Sequence, residues 1–303
     1  MKLISDFDGI WTNQAKEADY VWDFILNYLA DLTSQNKIFV SDTLAQCRNE
    51  MNKTPELFGW YNNGAVACFY HEDPFGDNNA IFDYINKTGL SDDSDYLKSL
   101  KLIRDSVLKK YKSLADFSQD CFYLATTKFK EEGKLQPVSD AMDVIKKLNL
   151  SETEIIIVSN SRTNKIEHVF EKAGIIASPE MGSAVRVRGD AMKFVVDDTF
   201  SDIPESLNIN EKINVPLRRK SYYNILLEEK PGFVIGDVFS LDLSLPLFLR
   251  LNHKDFSELK VVQRIQTYTP KWVKDFLSRK ELQNIAFLVS SVSELPDIIT
   301  EFS

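Results

Sequence analysis

The sequence predicts an α/β protein: a doubly wound parallel sheet with a mainly helical insertion after its first strand. Three observations lead there. Short strand-like runs at 2–5, 154–158, 232–235 and 285–289 are separated in the second half of the chain by amphipathic helical stretches. Apolar runs of this length alternating with helices mark a parallel sheet covered on both faces. From about 15 to 135 the pattern is instead mostly helical, and several strand-like runs end in Asp, Ser or Gly-Asp, as expected where an open parallel sheet gathers its reactive groups.

Taken in order, the first strand breaks at Asp6-Phe7-Asp8-Gly9. In the insertion, Tyr20, Trp22, Phe24, Ile25 and Tyr28 recur near helical spacing, as do Leu97, Leu100, Leu102, Ile103, Val107 and Leu108. Between them, the Gly/Asn/aromatic stretch 58–79 reads as an irregular loop. After Pro137, residues 138–148 form an amphipathic helix and 154–158 (Glu-Ile-Ile-Ile-Val) a fully apolar strand. A helix at 164–173 ends at Gly174. Alternation over 184–197 suggests a hairpin, and 221–229 is helical. The expected division is one α/β core from 1–14 with 135–303, and one helical domain from 15–134. The stretch 178–216 is long enough to form a flap or second insertion.

With 303 residues, 44% of them hydrophobic and 27% charged, the chain can bury a normal core without staples. A formal charge of −9 argues against nucleic acid or an anionic membrane as partner, since both demand a basic face. Cys47, Cys68 and Cys121 are an odd total without CxxC spacing, which suits structural thiols in a reducing compartment. The first residues turn acidic at Asp6 with no apolar leader, and no apolar run approaches the roughly 20 residues that span a bilayer. The expected location is therefore cytoplasmic. Sequons at Asn52, Asn86 and Asn149 and the triplet Arg188-Gly189-Asp190 are read as chance.

Chemistry is expected where strands end. The first strand runs into Asp6 and Asp8, the second into Ser159-Asn160-Ser161, and a later one into Gly236-Asp237 with Asp242 five residues on. Carboxylates converging on one edge repel unless a positive group sits among them, and a divalent cation with oxygen ligands meets that need.

These residues, in this order, resemble the haloacid dehalogenase-like (HAD) superfamily, whose core is Rossmann-like. Ile4-Ser5-Asp6-Phe7-Asp8-Gly9 matches its first motif, with Ile10 where the commonest pattern has Thr. Ile155-Ile156-Ile157-Val158-Ser159 matches the second, and Gly236-Asp237 with Asp242 the fourth. For the third, a Lys or Arg, the candidates are Arg218, Arg219 and Lys220, with Lys220 first and Arg219 next. The resemblance covers 1–13 and about 135–303, and Ser293-Glu294-Leu295-Pro296 is similar to the family's final helix. It implies a C1-type cap in the insertion and a magnesium-dependent phosphatase. Asp6 would be the nucleophile and Asp8 the acid and base, an acid that dehalogenase members lack. Ser159, Asn160 and Lys220 or Arg219 would bind the phosphoryl oxygens. Mg²⁺ would be held by Asp6, the Asp8 carbonyl and Asp237, with Asp242 orienting that shell.

The plain readings are weighed beside this. Asp-x-Asp-Gly alone is often only a turn, Ser159 alone a helix N-cap, and Lys220 alone a solvated lysine. An EF-hand ending at Glu17 fails, because Ile10 and Trp11 occupy positions needing a ligand and a Gly turn. His71, His168 and His253 have no metal spacing, and 91–95 reads as a solvated acidic loop. Trp60, Tyr61, Phe69 and Tyr70 read as core, or as lining a substrate pocket. The expected activity is hydrolysis of a small phosphorylated metabolite. The alternatives are a phosphate-transferring mutase and a non-catalytic binding or regulatory protein.

Overall fold

A computed structural model describes residues 1–62 and 65–302 of the chain. It divides into two compact units: Met1–Asn13, Tyr61–Cys68 and Leu135–Ser303 form one, and Gln14–Trp60 with Phe69–Lys134 the other.

The chain opens with strand β1 (Lys2–Ser5) and then enters five helices: α1 (Gln14–Thr33), α2 (Lys37–Met51), α3 (Pro74–Thr88), α4 (Asp95–Leu108) and α5 (Leu114–Glu131). Four start on a side chain that accepts a backbone N–H: Asn36 from Phe39, Asp73 from Phe75, Ser94 from Leu97 and Ser113 from Asp116. Such caps satisfy donors the first helical turn leaves open. The helices close on an apolar core in which Phe117 meets Phe82 and Tyr111 edge-on, with ring centroids 5.2 and 5.3 Å away. Between α2 and α3, β2 (Gly59–Asn62) and β3 (Ala65–Phe69) pair into a small sheet, where an irregular loop was expected.

The rest of the chain is α6 (Ala141–Leu150), β4 (Glu154–Val158), α7 (Thr163–Lys172), β5 (Ala177–Ser178), β6 (Val185–Arg188), β7 (Ser206–Asn208), β8 (Asn214–Pro216), α8 (Lys220–Glu229), β9 (Phe233–Gly236), α9 (Ser244–Asn252), β10 (Lys260–Arg264), α10 (Lys271–Leu277), β11 (Ala286–Val289) and α11 (Leu295–Glu301). Seven strands form one sheet in the order β11-β10-β9-β1-β4-β6-β5, every pair parallel. The α/β architecture is as predicted. Leu3, Ile4 and residues 155–158 are at most 2% exposed, as expected of strands covered on both faces.

Three local expectations are corrected. Residues 184–197 are not a hairpin: β6 pairs in parallel with β4 and β5 and then leaves the sheet. Its Val-Arg alternation imitates an antiparallel strand with a wet face, but Arg186 is buried against Glu154 and Glu229. Strand β10 was not foreseen, because Lys260 and Arg264 bracket its apolar centre. Residues 61–68 group with the α/β unit instead of the helical one. There the Asn62 Oδ1 accepts from the Val196 N–H (2.9 Å) and the Ala67 carbonyl from Arg219 (2.6 Å). Among the described residues, no helix is long and apolar enough to cross a membrane. Cys47, Cys68 and Cys121 are buried thiols.

Candidate active site

Register assembles the site. Ser5 pairs with Ile157 on one side and with Ile235 on the other. The next residue, Asp6, therefore stands level with Val158 and Gly236, one step before Ser159 and Asp237. The sheet also diverges at β1, with β4 following on one side and β9 on the other, and such a switch is where open parallel sheets place their sites.

The loop after β1 is tightly fixed. The Asp6 N–H donates to the Ile235 carbonyl (2.9 Å), prolonging the ladder by one residue. Trp11 Nε1 donates to Ser5 Oγ at 2.8 Å, and Ser5 Oγ to the Asp6 carbonyl at 2.7 Å. From the end of β10, Arg264 Nη1 donates to the Gly9 carbonyl (2.7 Å) and also to that of Ile10, and Gln266 Nε2 reaches the Gly9 carbonyl at 2.6 Å. Gly9 adopts φ +73°, and a Cβ there would lie 2.0 Å from Asp237 Oδ2. Only glycine lets the loop and that carboxylate approach so closely.

Asp237 Oδ2 accepts from Tyr268 Oη at 2.5 Å, and its carbonyl from Gln263 Nε2 at 2.6 Å. Asp242 lies in a π-helical turn, Phe239–Leu243, and its Oδ2 accepts from the Val238 N–H at 3.0 Å. Such turns are frequent at functional positions. Oxygens of Asp6, Asp237 and Asp242 lie within 4.8 Å of one another.

The cation among them is Lys193. Its Nζ lies 2.7 Å from Asp6 Oδ1 and 2.5 Å from Asp242 Oδ1, with the side chain 2% exposed. Burial alone would push its ammonium toward neutrality, but Asp242 and Asp6 outweigh that and raise its pKa above the ordinary lysine value. Burial pushes the Asp6 carboxyl up to about 7; Lys193 opposes the rise, while Asp242 and Asp8 add to it. The segment carrying Lys193 wraps the end of β4. Asp190 N–H donates to the Ser161 carbonyl (3.0 Å), Ala191 N–H to that of Ser159 (2.9 Å), and Lys193 N–H to Asn160 Oδ1 (2.7 Å).

The expected third-motif cations stand elsewhere. Lys220 is exposed at the start of α8, where its charge acts on Asp197. Arg219 is fully buried, but its guanidinium donates to backbone, Nη1 to the Lys193 carbonyl (2.5 Å) and Nη2 to the Ala67 carbonyl (2.6 Å). Arg218 is half-buried. Lys193 takes the place proposed for Lys220, and Arg219 supports it from behind. The parallel pairing of β6 explains its place: the carboxyl end of that strand opens on the same edge as Asp6, and Lys193 is the first lysine beyond it, a placement that reading 184–197 as a hairpin concealed.

Ser159 is buried at the end of β4, its Oγ accepting from the Ser161 N–H at 3.3 Å. Asp8 is oriented by Ser161 Oγ (2.5 Å to Oδ2) and Lys165 Nζ (3.0 Å to Oδ1). Its carboxylate is thus not one of the clustered three, Asp6, Asp237 and Asp242, while its charge reaches Asp6.

The donor set fits a divalent cation. Three largely buried carboxylates against one ammonium leave an excess of acidic groups in a site where uncompensated charge is costly. All donors are hard oxygens, as Mg²⁺ prefers.

No family model matches the chain, and no curated protein matches it. Solved structures similar to it include a 2-haloacid dehalogenase from Pseudomonas syringae pv. Tomato DC3000, with 10% identity over 100% of this chain and 99% of that one, TM-score 0.43. A haloacid dehalogenase-like family hydrolase from Xanthomonas campestris is 10% identical over 100% and 91%, TM-score 0.42. CbbY from Rhodobacter sphaeroides, solved in complex with phosphate, is 11% identical over 97% and 95%, TM-score 0.39.

Proposed function

We propose that the chain is a HAD-type phosphohydrolase, dependent on Mg²⁺, that cleaves a small phosphomonoester through an aspartyl-phosphate at Asp6. One observation carries the reading: Lys193 bridges Asp6 and Asp242 while Asp237 closes a cluster of three carboxylates within 4.8 Å. A strand-end aspartate beside a fixed ammonium and an oxygen-rich cation site suits attack on an anionic phosphoryl group, because the charge that would repel the nucleophile is met by fixed positive groups.

The carboxylates of Asp6, Asp237 and Asp242 would hold Mg²⁺, which when bound supplies charge neutralisation for the phosphoryl oxygens. An Asp6 oxygen attacks phosphorus, the bond from phosphorus to the leaving oxygen breaks, and Asp8 gives that oxygen its proton. Asp8, now a carboxylate, takes a proton from water as the water oxygen attacks phosphorus. The Asp6–phosphorus bond then breaks, releasing phosphate and restoring the carboxylate. Lys193 and the Ser159 hydroxyl bind phosphoryl oxygens throughout, and Arg219 holds the peptide from which Lys193 projects.

Turnover of 4-nitrophenyl phosphate with and without Mg²⁺, in wild type and Asp6→Asn, tests the reading. A nucleophile's loss should lower kcat by on the order of 10³-fold or more. Equal rates for the two proteins would remove Asp6 from that role. Failure of the wild type on a panel of phosphorylated metabolites would favour a binding role for the site.

A further inference from the structure

Both oxygens of the Asp8 carboxylate are held, and by side chains that the two chemical steps above leave without a role. Ser161 Oγ donates to Oδ2 at 2.5 Å, and Lys165 Nζ lies 3.0 Å from Oδ1. Each partner is itself fixed. The Ser161 N–H donates to Ser159 Oγ (3.3 Å), and its carbonyl accepts from the Asp190 N–H (3.0 Å). Lys165 sits in the first turn of α7, where its N–H bonds the Arg162 carbonyl at 3.0 Å. The Lys165 side chain is 24% exposed and that of Asp8 17%, so the pair is partly shielded from bulk water.

We propose that Lys165 is a positioning residue for proton transfer by Asp8, and that the site is thereby suited to phosphomonoesters with poor leaving groups, alkyl phosphates before activated aryl phosphates. The inference rests on the phosphohydrolase reading. A carboxyl group gripped at one oxygen can still swing about its last torsion; gripped at both, it cannot. Each oxygen has a second lone pair, so being held does not prevent Asp8 from carrying the proton it passes on. When the proton leaves for the ester oxygen, the carboxylate that remains faces an ammonium 3.0 Å away, which favours its departure. The benefit scales with need. An activated aryl oxide leaves with little help, whereas an alkoxide does not leave unprotonated. A surface ion pair serving stability alone would have no reason to grip the one carboxylate two residues beyond the nucleophile.

The test compares kcat and KM of wild type, Lys165→Met and Lys165→Arg with Mg²⁺ on 4-nitrophenyl phosphate, phenyl phosphate and propyl phosphate. Lys165→Met should lose roughly 10- to 100-fold in kcat on the propyl ester, about threefold or less on the nitrophenyl ester, and little in KM. Lys165→Arg, which keeps the charge, should recover most of the loss. Far-ultraviolet dichroism and melting temperature confirm that each variant is folded. An equal fold-loss on all three esters would overturn the positioning role. Absence of turnover by the wild type on every ester would instead sink the phosphohydrolase reading, and this inference with it.

Discussion

A lysine ammonium shut between two carboxylates and 2% exposed is a poor place to keep a charge unless all three are needed together. Each of Asp6, Lys193 and Asp242 loses hydration on folding, and their mutual attraction offsets that loss only while the set is complete. Lys193→Met removes the cation and leaves two acids facing each other. We expect its activity on 4-nitrophenyl phosphate to fall by about 10²- to 10³-fold. The metal-free variant should be less stable than wild type by roughly 3 kcal/mol, the scale for breaking a buried pair. Mg²⁺ should then raise its melting temperature by more than it raises that of wild type, because the cation relieves a repulsion that Lys193 otherwise balances. Scanning calorimetry of both proteins with Mg²⁺ and with EDTA checks this. A variant as stable as wild type in EDTA would show that Lys193 does not hold the carboxylates together.

At the scale of elements, β6 and α8 are joined through one carboxylate. Glu229, 3% exposed, receives Arg186, Arg188 at 2.6 Å and Lys2 at 3.0 Å, so that β1, β6 and the end of α8 meet on a single side chain. Burial pushes its carboxyl up, but Arg186 and Lys2 outweigh burial and hold it at about 2, below the ordinary 4.5. A carboxyl depressed on folding contributes stability that is present above its unfolded pKa and lost as pH falls through the folded one. The contribution should therefore be full above about 4.5 and fade toward 2. Glu229→Gln should cost about 3–5 kcal/mol at neutral pH, leaving Arg186 buried beside an amide. Urea unfolding of both proteins from pH 6 down to 2 should show the difference narrowing across that window, and a difference independent of pH would contradict the pairing. The same network explains what the sequence concealed. Strands β4 and β9 were legible as short apolar runs, and β1 as a short strand breaking at Asp6. In β6 each arginine finds its acid on another strand or helix, which no local pattern records. Misreading β6 also hid Lys193, since a hairpin would have turned the chain away from the edge where Asp6 lies. Asp6, Asp8, Ser159, Asp237 and Asp242 were legible because each stands within a few residues of a recognisable strand end. A residue that arrives by a wrapping loop, as Lys193 does, carries no such marker.

Across the molecule, every carboxylate of the cation site comes from the α/β unit, from Met1–Asn13 and Leu135–Ser303. The four tryptophans divide between the units, Trp11 and Trp272 in the α/β unit and Trp22 and Trp60 in the helical one. Trp11 is fully buried in the loop after Asp6, tied to it through Ser5. A ligand that binds only the folded state stabilises it by RT ln(1 + [L]/Kd), about 2.7 kcal/mol at a hundredfold excess over Kd. In a domain of this size that corresponds to a rise of roughly 5–10 °C in melting temperature. In a Trp22→Phe, Trp60→Phe background, fluorescence reports on the α/β unit alone. Millimolar Mg²⁺ should raise the transition seen by Trp11 and Trp272 by that amount, and Asp237→Asn in the same background should abolish the rise. Ca²⁺ should give a smaller one, since three close carboxylates offer fewer ligands than its larger shell takes. An equal Mg²⁺ shift with and without the Asp237 carboxylate would place the cation elsewhere, and the chemistry assigned to Asp6 would lose the charge it needs.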